Sequence, residues 1–473
     1  MNEESGKPKK RRKIPFPDTY VLIISLMALA VIMTYIIPAG SFERVMDTEA
    51  GQLIVQPGTY QTIEQTPVSP LDFFMAIPRG LEKNAVTVFF IFLIGGCFGV
   101  VNATGALNQL IRKSISRQKN GKSGEKIIAI LVIVFGLAGG VVGMAEECLA
   151  FLPILVTLAI GLGYDAVVGV GVMMIGVAYG YGTAPVNPFT IGLAQSIAGL
   201  PLFSGMWFRW IMWTAGTVVA IVFLLRYCRK IKADPSKSIV SDIDYSDFKL
   251  EEVGDCKISK RQIGVLTAFF GGILLLMVMI VLKGWYMTEL SAFFFGLAIV
   301  CGLIYKMPPN ELAAHFVDGM KVMVYPAILV GLAAGISIIL QEGNIQDTIV
   351  NALSKPLNYT PQILNGGFMM VVQSVINLFI PSGTGQAVVT MPLMAPLADV
   401  VNITRQTAVV AYQLGDGCSN AIIPTGAMMM AAISFGKIPY IRWVKFIVKW
   451  LLAMLITGFI FCVIASAIHL GPF

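Results

Sequence analysis

Residues 139–153 read Gly-Gly-Val-Val-Gly-Met-Ala-Glu-Glu-Cys-Leu-Ala-Phe-Leu-Pro, in the middle of a run from Ile127 to Phe208 that contains no Lys, Arg or His. The run is apolar enough to lie in a membrane, yet it holds Glu146, Glu147 and Asp165. An ionised carboxylate at mid-bilayer costs at least about 2.5–3.5 kcal/mol, and two adjacent ones repel each other. Glycines and prolines at that depth leave backbone groups unpaired, which is tolerated only where the break is buried in protein or lines a polar cavity. Two apolar arms meeting at such a break, about 127–163, predict a re-entrant hairpin with both glutamates at its tip.

The rest of the chain supports a membrane setting. Of 473 residues, 56% are hydrophobic and 13% charged, about half the charge of an ordinary soluble domain. Mean hydropathy is +0.77, and the apolar residues fall in blocks of about 20, the length of helix that crosses a ~30 Å hydrocarbon layer. The expected class is an all-α polytopic membrane protein. The net charge of +7 suits a nucleic-acid binder until the basic residues are located: they lie between the apolar blocks, so they read as membrane orientation. No nucleic-acid partner is expected. The seven cysteines include no Cys-x-x-Cys pair, and His315 and His469 are far apart, so neither a metal site nor a disulfide framework is signalled. No nucleotide-binding Gly-x-x-x-x-Gly-Lys-Ser/Thr motif is present. No cofactor, metal or enzymatic activity is expected. An ion channel would need a filter or rings of charge, and none is visible.

Charge also orders the chain. Residues 1–18 carry Lys7, Lys9, Lys10, Arg11, Arg12 and Lys13 directly before an apolar block at about 19–38, which reads as a cytoplasmic anchor for a retained first helix. A polar outer loop, about 41–84, precedes a second block at about 86–108. Arg112, Lys113, Arg117, Lys119, Lys122 and Lys126 then mark the inner side. After the hairpin come a broken helix, about 165–199, interrupted at Gly182-Thr183-Ala184-Pro185, and a continuous one at 206–227. A first membrane half at 19–228 and a second at 263–473 are separated by a cytoplasmic linker, about 229–262. The second half is expected to contain helices near 263–283, 288–306 and 320–341, a re-entrant hairpin at about 361–400, a broken helix at about 405–435 and a last helix ending outside. Pro153 and Pro392, Gly176 and Gly415, and Pro185 and Pro424 all lie 239 residues apart. Counting crossings turns the two repeats opposite ways, an arrangement typical of secondary transporters.

Candidate binding residues cluster at the breaks. Glu146, Glu147 and Asp416, in Gln413-Leu-Gly-Asp-Gly-Cys-Ser-Asn420, read as groups for a substrate cation, Na⁺ or a proton, with helix capping as the plainer role. The second hairpin tip, Pro381-Ser382-Gly383-Thr384-Gly385-Gln386, is uncharged and rich in donors, and a glycine-framed helix start suits a carboxylate. Thr183, Asn187 and Thr190 at the first break, and Ser419, Asn420 and Thr425 at the second, offer neutral ligands or structural hydrogen bonds. Tyr179, Tyr181 and Tyr412 read as packing, or as stacking partners for a planar cation. No Lys, Arg or His lies between Pro361 and Thr404, which favours a cationic or zwitterionic substrate without excluding a carboxylate carried with Na⁺.

The segments GMAEECLAFLPI, YGTAPVNPFTIGLAQ, IPSGTGQAVVTMPLMAPLADV and YQLGDGCSNAIIPTGAMMMA resemble those of the YfcC family, within the anaerobic four-carbon dicarboxylate carrier group of the ion transporter superfamily. The resemblance covers nearly the whole chain from about Pro15. It implies inverted repeats with two re-entrant hairpins and elevator-type movement of a transport domain against a scaffold. It also implies a plasma-membrane location and a homodimer, with the N-terminus inside and the C-terminus outside by the charge rule. Some similar proteins are arginine/ornithine antiporters of the ArcD type, which suits the acidic residues, whereas others are carriers of short-chain acids or peptides. In the dicarboxylate/sodium branch the hairpin tips carry Ser-Asn-Thr motifs. This chain has Ala145-Glu146-Glu147 and Ser382-Gly383-Thr384 instead. The expectation is therefore secondary active exchange of basic amino acids such as arginine and ornithine, with Na⁺- or H⁺-coupled carriage of di- or monocarboxylates as the alternative.

Overall fold

The computed structural model describes residues 19–47, 52–56, 58–107, 109–110, 123–248, 258–283, 285 and 287–471. The basic N-terminus 1–18, the basic residues from Arg112 to Lys122, and residues 249–257 of the linker lie outside the described residues. The described chain is mostly helical. Six of its helices are long and apolar enough to cross a membrane, among them Ala85–Ala103, Met206–Ala233, Met287–Tyr305 and Tyr440–Ala467. Ile32, Val218, Leu274, Leu303 and Ile456 stand exposed on outer faces, an apolar skin suited to lipid rather than water.

The first helix, Thr19–Ile36, stops just short of Pro38, because the residue before a proline avoids helical dihedrals. The stretch 41–84, expected to be a polar loop, is more ordered than that. Gly40–Ser41 pairs antiparallel with Gln61–Thr62, and Arg44–Asp47 with Gln52–Val55. A helix then runs Pro70–Lys83, opened by Pro70 and by Ser69, whose hydroxyl accepts from the Asp72 N–H. Its charged side chains mask one packed face that buries Ala76 and Gly80. After Asn84 the helix Ala85–Ala103 continues it.

The same kinked arrangement recurs 239 residues later as Pro309–Val322 and Val324–Glu342, joined at Met323. These helices have the lengths of their counterparts, 14 and 19 residues. The helix expected at about 320–341 is thus the second piece of a longer element that begins at Pro309. Gly80 lies against Gly331 and Gly335, whereas Gly95 and Gly99 lie against Gly319. Numbers rise along one helix as they fall along the other, so the equivalent kinked helices pack antiparallel. Small residues four apart, Gly95 and Gly99 or Gly331 and Gly335, let the backbones approach closely.

The offset of 239 extends into the broken elements. Ser123–Leu137 and Gln362–Asn377 begin the two hairpins, and Leu152–Gly161 and Gly383–Val400 end them. The first hairpin turns through a π-helical Ala138–Val142 and Gly143, at φ +81°, into a 3-10 turn Glu146–Phe151. Its ends come together where Tyr164 lies against Gly124. Those of the second meet where Gln362 Nε2 donates to the Asn402 carbonyl at 2.7 Å. Ala166–Gly182 and Arg405–Ser419 are the long pieces of the broken segments, and Leu193–Ile197 and Ala427–Phe435 the short ones. The offset slips only at Met206–Ala233 and Tyr440–Ala467, both 28 residues long.

Asp165 caps the first broken helix through Val168 N–H and also accepts from Tyr227 Oη and Ser238 Oγ, each at 2.6 Å. It therefore ties that helix to Met206–Ala233 and to the start of the linker. Arg442 pairs with Asp242, holding that carboxyl down to about 2, and Tyr245 Oη donates to the Gly436 carbonyl. The described part of the linker is strapped onto the helix ends.

The two long broken helices cross where Gly182 meets Gly417. A Cβ on Gly417 would fall 2.2 Å from the Gly182 nitrogen, a clash with backbone that no rotamer relieves. Gly417→Ala should destabilise the protein by about 1–3 kcal/mol or more, read as a lower melting temperature in detergent. Gly271→Ala, where nothing lies within 4 Å, should leave melting unchanged or slightly raised because alanine favours helix.

Candidate functional site

A cavity of about 530 Å³ lies where the hairpin tips, the helix breaks and the kinked helices meet. Gly143, Ala145, Glu146 and Glu147 enter it from the first tip, and Ser382, Gly383 and Thr384 from the second. Tyr181, Phe189 and Thr190 line it from the first broken segment, and Asp416, Asn420 and Thr425 from the second. The kinked helices close it with Lys83, Asn84 and Thr87 on one side and Ser337 and Gln341 on the other.

The three carboxylates have different surroundings. Glu147 is buried, and its Oε2 accepts from the Ala145 N–H at 2.7 Å, so part of its hydrogen-bonding capacity holds the tip in shape. Glu146, its neighbour, is half-buried and lines the same cavity. Asp416 is fully buried, and among the described residues neither of its carboxylate oxygens completes a hydrogen bond, although the Asn420 side chain lies beside it. Its Oδ2 faces the α-carbon of Gly383, where even a methyl group would sit only 3.0 Å away. Thr190, whose Oγ1 is also buried and unpartnered, presses on the same glycine. A buried carboxylate with both oxygens unsatisfied is costly unless a proton or cation occupies it.

The tips are held from behind by phenols. Tyr181 Oη donates to the Gly143 carbonyl and Tyr412 Oη to the Gly383 carbonyl, each at 2.6 Å. Tyr412 therefore positions a tip and does not line the cavity. Tyr179 packs beside Trp213 and donates to the Val132 carbonyl. Of the three tyrosines read as stacking partners, only Tyr181 reaches the cavity wall.

Four of the polar residues singled out from the sequence stand behind the wall. Thr183 Oγ1 donates back to the Tyr179 carbonyl. Asn187 joins the first break to the hairpin by donating to the Gly139 carbonyl and accepting from Phe189 N–H. Gln386 donates to the side chain and carbonyl of Gln373, within the second hairpin. Ser419 donates to the Gly415 carbonyl and accepts from Asn377. These are ties between segments. Glu146, Glu147, Ser382, Gly383, Thr384, Asp416, Asn420 and Thr425 do line the cavity.

Lys83 was not among the candidates. It donates to Gln341 Oε1 at 3.3 Å across the two kinked helices and brings one positive charge to the wall. Its only signal in the letters is its place at the end of a polar stretch, directly before an apolar block. Three acidic side chains and one basic side chain thus line the cavity.

The profile of the C4-dicarboxylate anaerobic carrier family, DcuC, matches residues 16–467. "Putative basic amino acid antiporter YfcC" of Escherichia coli (strain K12) is 31% identical, with 92% of this chain and 94% of that protein covered. A Haemophilus influenzae (strain Rd) protein called "Uncharacterized protein" is 29% identical over 98% of this chain and 99% of its own length. Among solved structures, the YdaH transporter of Alcanivorax borkumensis aligns over 96% of this chain and all of its own at a TM-score of 0.42 and 13% identity. The chain is a multi-pass membrane protein that belongs to the C4-dicarboxylate anaerobic carrier family, in the YfcC-like group.

Proposed function

We propose that this carrier is a secondary active transporter of the plasma membrane that exchanges basic amino acids such as arginine and ornithine. The observation that carries the reading is the buried carboxylate of Asp416 at the cavity wall, with both oxygens unpartnered among the described residues. Together with Glu146 and Glu147 it outnumbers Lys83 three to one on that wall. The substrate's cationic end is taken by Asp416 and the glutamates. Its α-carboxylate meets the start of the helix Gly383–Val400, where unpaired N–H groups and the helix dipole favour an anion. The relative named as a basic amino acid antiporter supports the same choice.

In this reading the hairpins 123–161 and 362–400 are re-entrant, the repeats are inverted across the membrane, and hairpins and broken helices move together past the kinked helices as an elevator. The seam runs through the cavity, with Lys83 and Gln341 on the static side. The protein works as a homodimer, with its N-terminus in the cytoplasm and its C-terminus outside. A second reading, coupling of a dicarboxylate to Na⁺ or H⁺, is favoured by Lys83 on the wall and by the substrate in the family's description. Asp416 and Thr190 then hold the coupling cation.

Uptake of labelled arginine into vesicles preloaded with ornithine, succinate or nothing separates these readings. Ornithine should stimulate uptake and succinate should not; stimulation by succinate alone would transfer the assignment to the carboxylate reading. At the level of residues, Asp416→Asn and Glu146→Gln should each weaken arginine binding by about 2 kcal/mol or more, roughly 30-fold. Asp165→Asn, at a cap outside the cavity, should lower the melting temperature by an amount matching about 1 kcal/mol while leaving the exchange rate per folded protein unchanged. Equal tolerance of all three changes would remove the site from the hairpin tips.

A further inference from the structure

A second cavity, about 620 Å³, lies away from the transport site, between the helices Met206–Ala233 and Tyr440–Ala467. Four cations line it: Arg226 and Lys230 from the first helix, Lys445 and Lys449 from the second. Among the described residues, no Asp or Glu lines it. Arg226, Lys230 and Lys449 are exposed and make no ion pair among the described residues.

The spacing gives the groove two zones. Val218, Val222, Arg226 and Lys230 recur every four residues and share one helix face, as do Lys445, Lys449 and Ala453 on the facing helix. At 1.5 Å per residue, Val218 stands about 12 Å above Arg226, and Ala453 about 6 Å above Lys449. Phe446 packs on Phe223 and Tyr227, so Arg226, Lys230 and Lys445 gather at one end and Val218 and Ala453 at the other, with Val222 and the stem of Lys449 between. Ile239, from the strapped part of the linker, marks the basic end, which is the cytoplasmic end under the positive-inside rule. Basic residues flanking membrane helices are ordinary. A concave slot in which two pairs converge from facing helices, with an apolar wall continuing toward mid-membrane, calls for an amphiphile with an anionic head.

We propose that this groove is a binding site for an anionic phospholipid of the inner leaflet. Its phosphate sits among Arg226, Lys230, Lys445 and Lys449, and an acyl chain runs along Val218, Val222 and Ala453. The lipid bridges the two 28-residue helices that flank the broken segments.

Native mass spectrometry of the full-length protein in detergent tests this, with phosphatidylglycerol and phosphatidylcholine of identical acyl chains as probes and glycerol 3-phosphate as the head alone. The wild type should retain phosphatidylglycerol in preference to phosphatidylcholine and bind glycerol 3-phosphate far more weakly. Removing three charges in R226Q/K230Q/K449Q should weaken phosphatidylglycerol retention by about hundredfold, at roughly 1 kcal/mol per charge. The charge-conserving R226K/K230R/K449R variant should retain it, and Val222→Trp should block retention with all charges in place. Should the glutamine variant not fold, the lysine–arginine and tryptophan variants decide between themselves. Equal retention of both lipids by the wild type, full binding of glycerol 3-phosphate alone, or unchanged retention in Val222→Trp would overturn the proposal.

Discussion

Backbone polar groups that leave a helix inside a hydrocarbon layer must find partners within the protein, and most of this structure follows from that constraint. Two helices stop at Gly182 and Ser419, and two hairpins turn at Gly143 and Pro381–Ser382. Each interruption is backed by another segment. Asn187 holds the Gly139 carbonyl, Tyr181 that of Gly143, Tyr412 that of Gly383, Asn377 that of Asp416 and Trp443 that of Ala421. Arg209, fully buried, donates to the carbonyls of Pro185, Phe203 and Ser204. These side chains satisfy freed carbonyls, while the carboxylate of Asp416 is left without a hydrogen-bond partner at the cavity wall among the described residues.

Close packing makes those ties reachable. Gly182 against Gly417, Gly80 against Gly331, and Gly319 against Gly95 all bring backbone to backbone with no room for a methyl group. In a bilayer the hydrophobic effect does not press helices together, so contact area between small residues and a few hydrogen bonds must hold them. Glycine serves two ends here: it breaks helices at the tips and seals helices elsewhere.

This double use explains what could be read from the letters. The helix breaks and the 239-residue repeat were legible because each is marked by Gly or Pro inside a long apolar run, a conflict with helix propensity that needs a cause. The repeat is more complete than three aligned residues indicated, since helix lengths recur as well. The helix Pro70–Lys83 was not legible, because Asp72, Arg79 and Glu82 give it the composition of a loop and its packed face rests on Ala76 and Gly80. Lys83 was missed with it. Among the polar residues at the breaks, composition could not separate lining from support: Asn420 reaches the cavity while Ser419, one position earlier, turns back to Gly415. That difference is set by where the helix ends, a boundary that sequence patterns locate only to within a few residues.

The fold is close to symmetric and the cavity is not. Offset by 239 or 240 residues, Gly143 corresponds to Ser382 or Gly383, and each tip glycine is gripped by a tyrosine of a broken helix. Beyond that grip the chemistry parts company. The first tip brings two carboxylates; the second brings two hydroxyls, two glycines and the start of an 18-residue helix. Asp416 has no acidic counterpart at the first break, where position 177 is Val. Lys83 corresponds to position 322, again Val, in the other kinked helix. Where such repeats face opposite ways across a membrane, as proposed above, exchanging their conformations interconverts inward-open and outward-open states of similar energy. Under the proposed exchange of basic amino acids, this asymmetric lining would give a bound molecule one orientation between the acidic side chains and the helix start, so that a substrate with charges at both ends would be held the same way in either state.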